Sequence, residues 1–190
     1  MSKHRLHVLA LTKTWHEDSD CATVKRTRSL GYNLIEEART IPPTNKRNNI
    51  QFVNHGGIAI ISKPGTKVAK VNLMVKVSAF EHLCDRITLD VSSLFVVIYR
   101  PGAQPITPKF FNELTTLLES LCLLSLPITI TDDLNIHIER PDDADPGRLL
   151  KLLTAFGLIQ DVESQTHTAG GLLDVVSYNV GTSTEGCRRC

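Results

Sequence analysis

The apolar residues of this 190-residue chain repeat with two different periods, and the change from one to the other fixes the kind of fold open to it. Through the first hundred residues they come in short runs: Leu6–Leu11, Tyr32–Arg39, Gly56–Ile61, Ile87–Val91 and Leu94–Tyr99. Val71, Leu73, Val75 and Val77 alternate with polar or flexible neighbours, the pattern of a half-buried strand. Many of these residues are β-branched, which favours strands. From Thr107 the spacing becomes helical. Phe110, Phe111, Leu114, Leu117, Leu118 and Leu121 share one face, behind Thr107 as N-cap and Pro108 at the first helical position. A second helix is predicted from Asp145-Pro146, through Leu149, Leu150, Leu152, Leu153 and Phe156, to Gly157. Pro127–Thr131 and Leu172–Tyr178 read as further strands, and Glu17–Arg28 as a surface loop or short helix. The expected class is α/β (α+β): packed sheets flanked by helices, in one domain over 1–179, with 180–190 an unstructured tail.

Several classes of protein are excluded early. At 42% hydrophobic and 22% charged residues the composition is that of a globular domain, not a fibrous or disordered chain. The longest apolar stretch, Leu114–Ile130, is interrupted by Glu119, Ser120 and Pro127, so no membrane span is expected. The N-terminal residues lack the apolar core of a signal peptide. Five scattered cysteines and no N-glycosylation acceptor point to a reduced, intracellular setting. The C-x-x-C of Cys187 and Cys190 has no second pair with which to hold zinc. Residues 1–80 carry 13 Lys and Arg against 5 Asp and Glu, while 81–190 carry 8 against 15. Such a division suits an acidic pocket beside a basic flank, or two faces that attract each other on folding.

The chemistry-bearing residues cluster at predicted strand ends. Thr131-Asp132-Asp133-Leu134-Asn135-Ile136-His137 follows a buried strand. In extended backbone Asp133 and Asn135 face one way, Asp132 and Leu134 the other. A carboxylate and an amide so placed can hold a divalent ion, orient a water or bind a phosphate oxygen. By itself the segment reads as readily as an Asx-type turn into an acidic loop. Asp174 sits between Leu173 and Val175, where burial would demand a partner such as His167. Tyr99 and Arg100 end another strand, and Arg100 offers a fork of donors suited to phosphate. Trp15, the sole tryptophan, is placed in the core in preference to a base-stacking role.

In order along the chain stand Leu-Thr-x-Thr-Trp (11–15), Leu-Gly-Tyr (30–32), Gly-Gly-Ile-Ala-Ile (56–60), Tyr-Arg-Pro (99–101) and Asp-Leu-Asn-Ile-His (133–137). Thr-His (166–167) and Gly-Gly-x-Leu-Asp (170–174) follow. This series resembles the endonuclease/exonuclease/phosphatase family, in the style of the endonuclease domain of LINE-type (non-LTR) retrotransposons. The resemblance implies a four-layer sandwich of two face-to-face β-sheets with helices outside, and Mg²⁺-dependent hydrolysis of a DNA phosphodiester. By position, Asp133 resembles the aspartate that acts on the attacking water. Asn135 resembles the phosphate-binding asparagine, Tyr99 the tyrosine near the scissile phosphate, and Asp174 the aspartate that orients a catalytic histidine. Arg100, Thr166 and His167 are expected to contact substrate. DNA is the implied partner, with no small-molecule cofactor and a nuclear or cytoplasmic setting.

The departures from the pattern are equally specific. Lys13 stands where the family has a glutamate metal ligand, so no intact metal site is expected. The family's first strand with its asparagine, and its closing Ser-Asp-His, have no counterpart, so the fold is expected to lack its first and last strands. Asp132 replaces a glycine and crowds charge against Asp133. The expectation is a truncated, inactive endonuclease, the alternative a non-catalytic nucleic-acid-binding relic or a non-functional transposon fragment.

Overall fold

The computed structural model describes residues 6–16, 20–38, 56–164, 166 and 172–179. The tail beyond 179, including Cys187 and Cys190, lies outside the described residues, as does His167.

Nine strands and three helices are seen among them. The strands are β1 (Val8–Thr12), β2 (Asn33–Glu37), β3 (Ile58–Ser62), β4 (Lys67–Lys70), β5 (Glu81–Thr88), β6 (Ser92–Tyr99), β7 (Ile128–Asp133), β8 (Ile159–Gln160) and β9 (Asp174–Tyr178). The helices are α1 (Ala22–Ser29), α2 (Pro108–Cys122) and α3 (Ala144–Ala155). They build a three-stranded sheet, β1-β3-β2, and a six-stranded sheet, β4-β5-β6-β7-β9-β8. Only β6 and β7 run parallel, joined through α2; the other pairings are antiparallel.

The sheets face each other because both central strands are apolar on the inner side. Ile58 and Ile60 of β3 meet Leu83, Ile87, Val97 and Tyr99 of β5 and β6. The other face of the six-stranded sheet is covered by α2 and α3. There Val96, Ile98, Ile128, Ile130 and Val175 pack on Phe110, Leu114, Leu117, Leu121, Leu149 and Leu153. Val24 seats α1 against the outer face of the small sheet. The result is four layers, with β6 packed on both faces.

The structure corrects four local expectations. Residues 71–77 alternate between partly buried and exposed, and Val71, Leu73 and Val77 touch the core, but they form no strand. The amide of Val71 bonds to the carbonyl of Cys84, and strand pairing ends at Lys70. The Ile87–Val91 expectation shifts N-terminally: β5 occupies 81–88, and the chain turns before Ser92. Its polar members Glu81, His82, Asp85 and Arg86 hid its length from a reading based on apolar runs. Helix α3 is capped by Asp143, two residues before Asp145. Trp15 is 56% exposed and is no core residue.

Candidate active site

Register across the large sheet assembles the site. Glu81 of β5 pairs with Tyr99 of β6, Tyr99 with Asp133 of β7, and Asp133 with Asp174 of β9. Four side chains from four strands thus form one row at the end of the sheet. Three of the four belong to the expected set; Glu81 was missed, because it opens a strand within no motif. Its carboxylate accepts a hydrogen bond from the amide of Gly57 at 2.9 Å, which ties the large sheet to the small one.

Residues 13–16 pass over this row from the end of β1. Lys13 and Trp15 both adopt left-handed backbone, φ 53° and 55°, a conformation that costs a non-glycine residue about 1 kcal/mol or more. The loop is pinned on several sides. The amides of Thr14 and Trp15 donate to the carbonyls of Gly57 and Gly56. Thr14 Oγ1 lies 2.6 Å from His16 Nδ1, and His16 Nε2 lies 3.3 Å from Glu36, which also pairs with Arg28. Gly57 makes the close approach feasible: a Cβ there would come within 2.5 Å of Thr14 Oγ1.

The outcome is a direct ion pair. Lys13 Nζ lies 2.7 Å from Asp133 Oδ2 and 5.5 Å from the centroid of the Tyr99 ring. Burial works against the charged ammonium, but the hydrogen bond and attraction of Asp133, then Tyr99 and Asp174, outweigh it and raise the Lys13 pKa. Asp133 is buried, while Lys13 keeps 44% of its side chain in solvent. The ammonium is therefore both anchored and accessible.

The remaining expected residues take other places. Asp174 is exposed at the start of β9, so no burial cost calls for a histidine partner. Its amide and that of Leu173 both donate to Thr166 Oγ1 at 3.1 Å, and the Thr166 hydroxyl thus fastens the strand end. Asn135 lies two residues beyond the end of β7 with φ 52°, so strand alternation does not set its direction. Its side-chain amide donates to the carbonyl of Arg100 at 2.8 Å. Arg100 is buried, with its guanidinium donating to the carbonyls of Leu134, Asn135, Gln104 and Pro101. Four of its five N–H donors are thereby spent on main chain, which turns the expected phosphate contact into a clamp on the loops flanking the site. Asp132 faces the helix layer, opposite Asp133, as alternation predicts. Burial first, then the charges of Asp133 and Asp174, push its carboxyl well above the usual range.

No family model matches the sequence, and no curated protein matches it. Solved structures do. The human Nocturnin catalytic domain with bound sulfate anion superposes with TM-score 0.63 at 14% identity, covering 90% of this chain and 68% of that one. An endonuclease/exonuclease/phosphatase family protein from Bacteroides thetaiotaomicron gives 0.55 at 9%, covering 93% and 68%. The D. rerio TDP2 complexed with single strand DNA product gives 0.56 at 9%, covering 91% and 70%. This chain has the endonuclease/exonuclease/phosphatase fold.

Within that fold Mg²⁺ is the usual metal, and the residues present here can be tested against it. A divalent ion needs several hard oxygen ligands around one point. In this row an ammonium already occupies hydrogen-bonding distance of Asp133. Among the described residues no group of three or more His, Cys, Asp or Glu side chains is arranged to hold a metal. The described residues of this row do not fit a divalent ion. The ammonium lies beside Tyr99 and Asp133 with part of its surface open to solvent.

Proposed function

We propose that this chain is a nucleic-acid-binding derivative of a metal-dependent DNA endonuclease of the LINE-type retrotransposon kind, with phosphodiester hydrolysis silenced. The Lys13–Asp133 ion pair carries this reading. An aspartate held by an ammonium at 2.7 Å is a poor base for water, and the ammonium takes the space and charge of a metal ion. The fold supports the nuclease ancestry, and the ordered motifs from Leu11 to Asp174 support the retrotransposon branch. The surviving function is attraction of the phosphate backbone, with Lys13 as its central contact.

A nicking assay on supercoiled plasmid with Mg²⁺ tests the silencing. The expected result is no cleavage above an Asp133→Ala control. Mg²⁺-dependent nicking that disappears in that control would overturn it. Titration with DNA at two salt concentrations tests the binding: affinity should fall steeply as salt rises. Affinity indifferent to salt refutes phosphate recognition.

A further inference from the structure

The two sheets are unequal, and the mismatch leaves part of one face open. The small sheet has three strands and the large one six. Strand β3 lies over β5 and β6, while β1, at the edge of the small sheet, approaches β6 and β7. Beneath this cover Leu83, Asp85, Ile87 and Val97 of the large sheet are buried. Past β1 the same face runs on. By register and strand alternation it presents Thr129 and Thr131 of β7, Val176 and Tyr178 of β9, and Ile159 of β8. The first four are only partly buried, and Ile159 is 57% exposed.

An unpaired strand borders this shelf. Val8 lies opposite Ser62, which sets His7 opposite Lys63, and the Lys63 amide donates to the His7 carbonyl. Antiparallel bonding alternates, so Leu9 and Leu11 bond to β3, while Val8, Ala10 and Thr12 turn their amides and carbonyls away from it. Among the described residues those outward groups have no partner. The strand carries no charge, no proline and no bulge, the devices that ordinarily protect an edge.

We infer that the β1 edge and the shelf below it receive one extended segment of another protein, which bonds to Val8, Ala10 and Thr12 as an added strand and rests on β7 and β9. Strands lie about 4.8 Å apart, and β9 and β8 project past β7, so the shelf has the width of one or two strands. A second copy of this chain meeting it β1 to β1 would bring its own β9 and β8 into the same space. A lone strand has no such obstacle. Charge sets its character. Asp161, whose amide bonds to the carbonyl of Val176, shares the face of Ile159, and Asp174 begins β9. Both are exposed, and neither makes a salt bridge among the described residues. The segment that fits sets β-branched residues over Thr129, Val176 and Tyr178 and a lysine or arginine over the two carboxylates.

Two labelled decapeptides of alternating valine and threonine, one ending in two lysines and one in two glutamates, test this against the full chain. A twin of the lysine peptide carries N-methyl groups on every amide. By anisotropy the lysine peptide should bind about tenfold tighter than either the glutamate peptide or the twin. Hydrogen exchange read by NMR should show the amides of Val8, Ala10 and Thr12 slowed about tenfold or more by the lysine peptide. Ala10→Pro removes an N–H that no bond within the fold uses, and should abolish binding while exchange in α2 stays unchanged. Asp161→Lys should erase the preference for lysine over glutamate. Equal affinity for the N-methylated twin, or protection that bypasses β1, overturns the added strand. A preference for the glutamate peptide overturns the basic character of the partner. Sedimentation of the chain alone should show a monomer; a dimer dissolved by Ala10→Pro makes a second copy the occupant and overturns the inference. So does absence of binding to both peptides.

Discussion

The Nζ of Lys13 and the Oδ2 of Asp133 lie 2.7 Å apart, although 120 positions of sequence separate them and Lys13 follows a strand of the small sheet while Asp133 ends a strand of the large one. One end of the pair is buried and the other half exposed. Its net worth is therefore modest, about 1 kcal/mol, because solvent screens the lysine. A double-mutant cycle with Lys13→Met and Asp133→Asn, read by urea unfolding at pH 7, should return a coupling of that size. Coupling indistinguishable from zero would show that the pair does not hold the loop to the sheet.

Arg100 should not tolerate lysine. Its guanidinium reaches four carbonyls from two stretches of chain, 101–104 and 134–135, a fork that a single ammonium cannot reproduce. Arg100→Lys is expected to lower stability by about 2–3 kcal/mol, because carbonyls buried beneath the site lose their donor. The unfolding midpoint in urea reports it; a change under about 0.5 kcal/mol would contradict the clamp.

Gly57 should be intolerant for a different reason. Its φ of 89° disfavours any side chain, and the added Cβ would press on Thr14 Oγ1. Gly57→Ala is expected to cost about 2 kcal/mol or more and to disturb the 13–16 turn, shifting the emission of Trp15. Gly65 also has positive φ, 82°, but open space around it. Gly65→Ala should therefore cost only the backbone term, about 1–2 kcal/mol, with unchanged emission. Equal effects of the two substitutions on fluorescence would refute the contact.

Asp85 gives the fold a dependence on pH. It lies between the sheets beside Leu83 and Ile87, with neither carboxylate oxygen hydrogen-bonded. Burial pushes its pKa up to about 6, against the opposing attraction of Lys70. A carboxyl whose pKa is raised in the folded chain favours the fold while it is protonated. Its contribution is full below about pH 4 and is lost as pH rises through 6. Asp85→Asn, which cannot ionise, should match the unmodified chain near pH 4 and exceed it by roughly 2 kcal/mol at pH 7.5. Urea midpoints at the two pH values check this; a stability difference constant with pH would remove Asp85 as the titrating group.

Much of the architecture was legible because burial repeats with the period of the backbone. The apolar face of α2 and its Thr107-Pro108 start are where the spacing puts them, and β7 runs where Ile128 and Ile130 alternate. Legibility failed where polar residues enter a strand, as in β5, and where an apolar alternation finds no partner strand, as over 71–77. The site divides in the same way. Asp133, Asp174 and Tyr99 were visible as strand-end residues within ordered motifs. Glu81 was invisible, because its place in the row comes from pairing and not from its neighbours in sequence.

The sequence by itself determined the alternation of burial, the helical faces and the presence of a lysine where a carboxylate was expected, since each follows from local period or from residue identity. The tertiary structure alone decided that Arg100 faces inward to carbonyls, that Trp15 faces outward beside Lys13, and that Lys13 reaches Asp133. Those outcomes depend on which strands pair and how the two sheets are stacked. Such long-range geometry sets the direction of a side chain at a strand end, where backbone periodicity no longer constrains it.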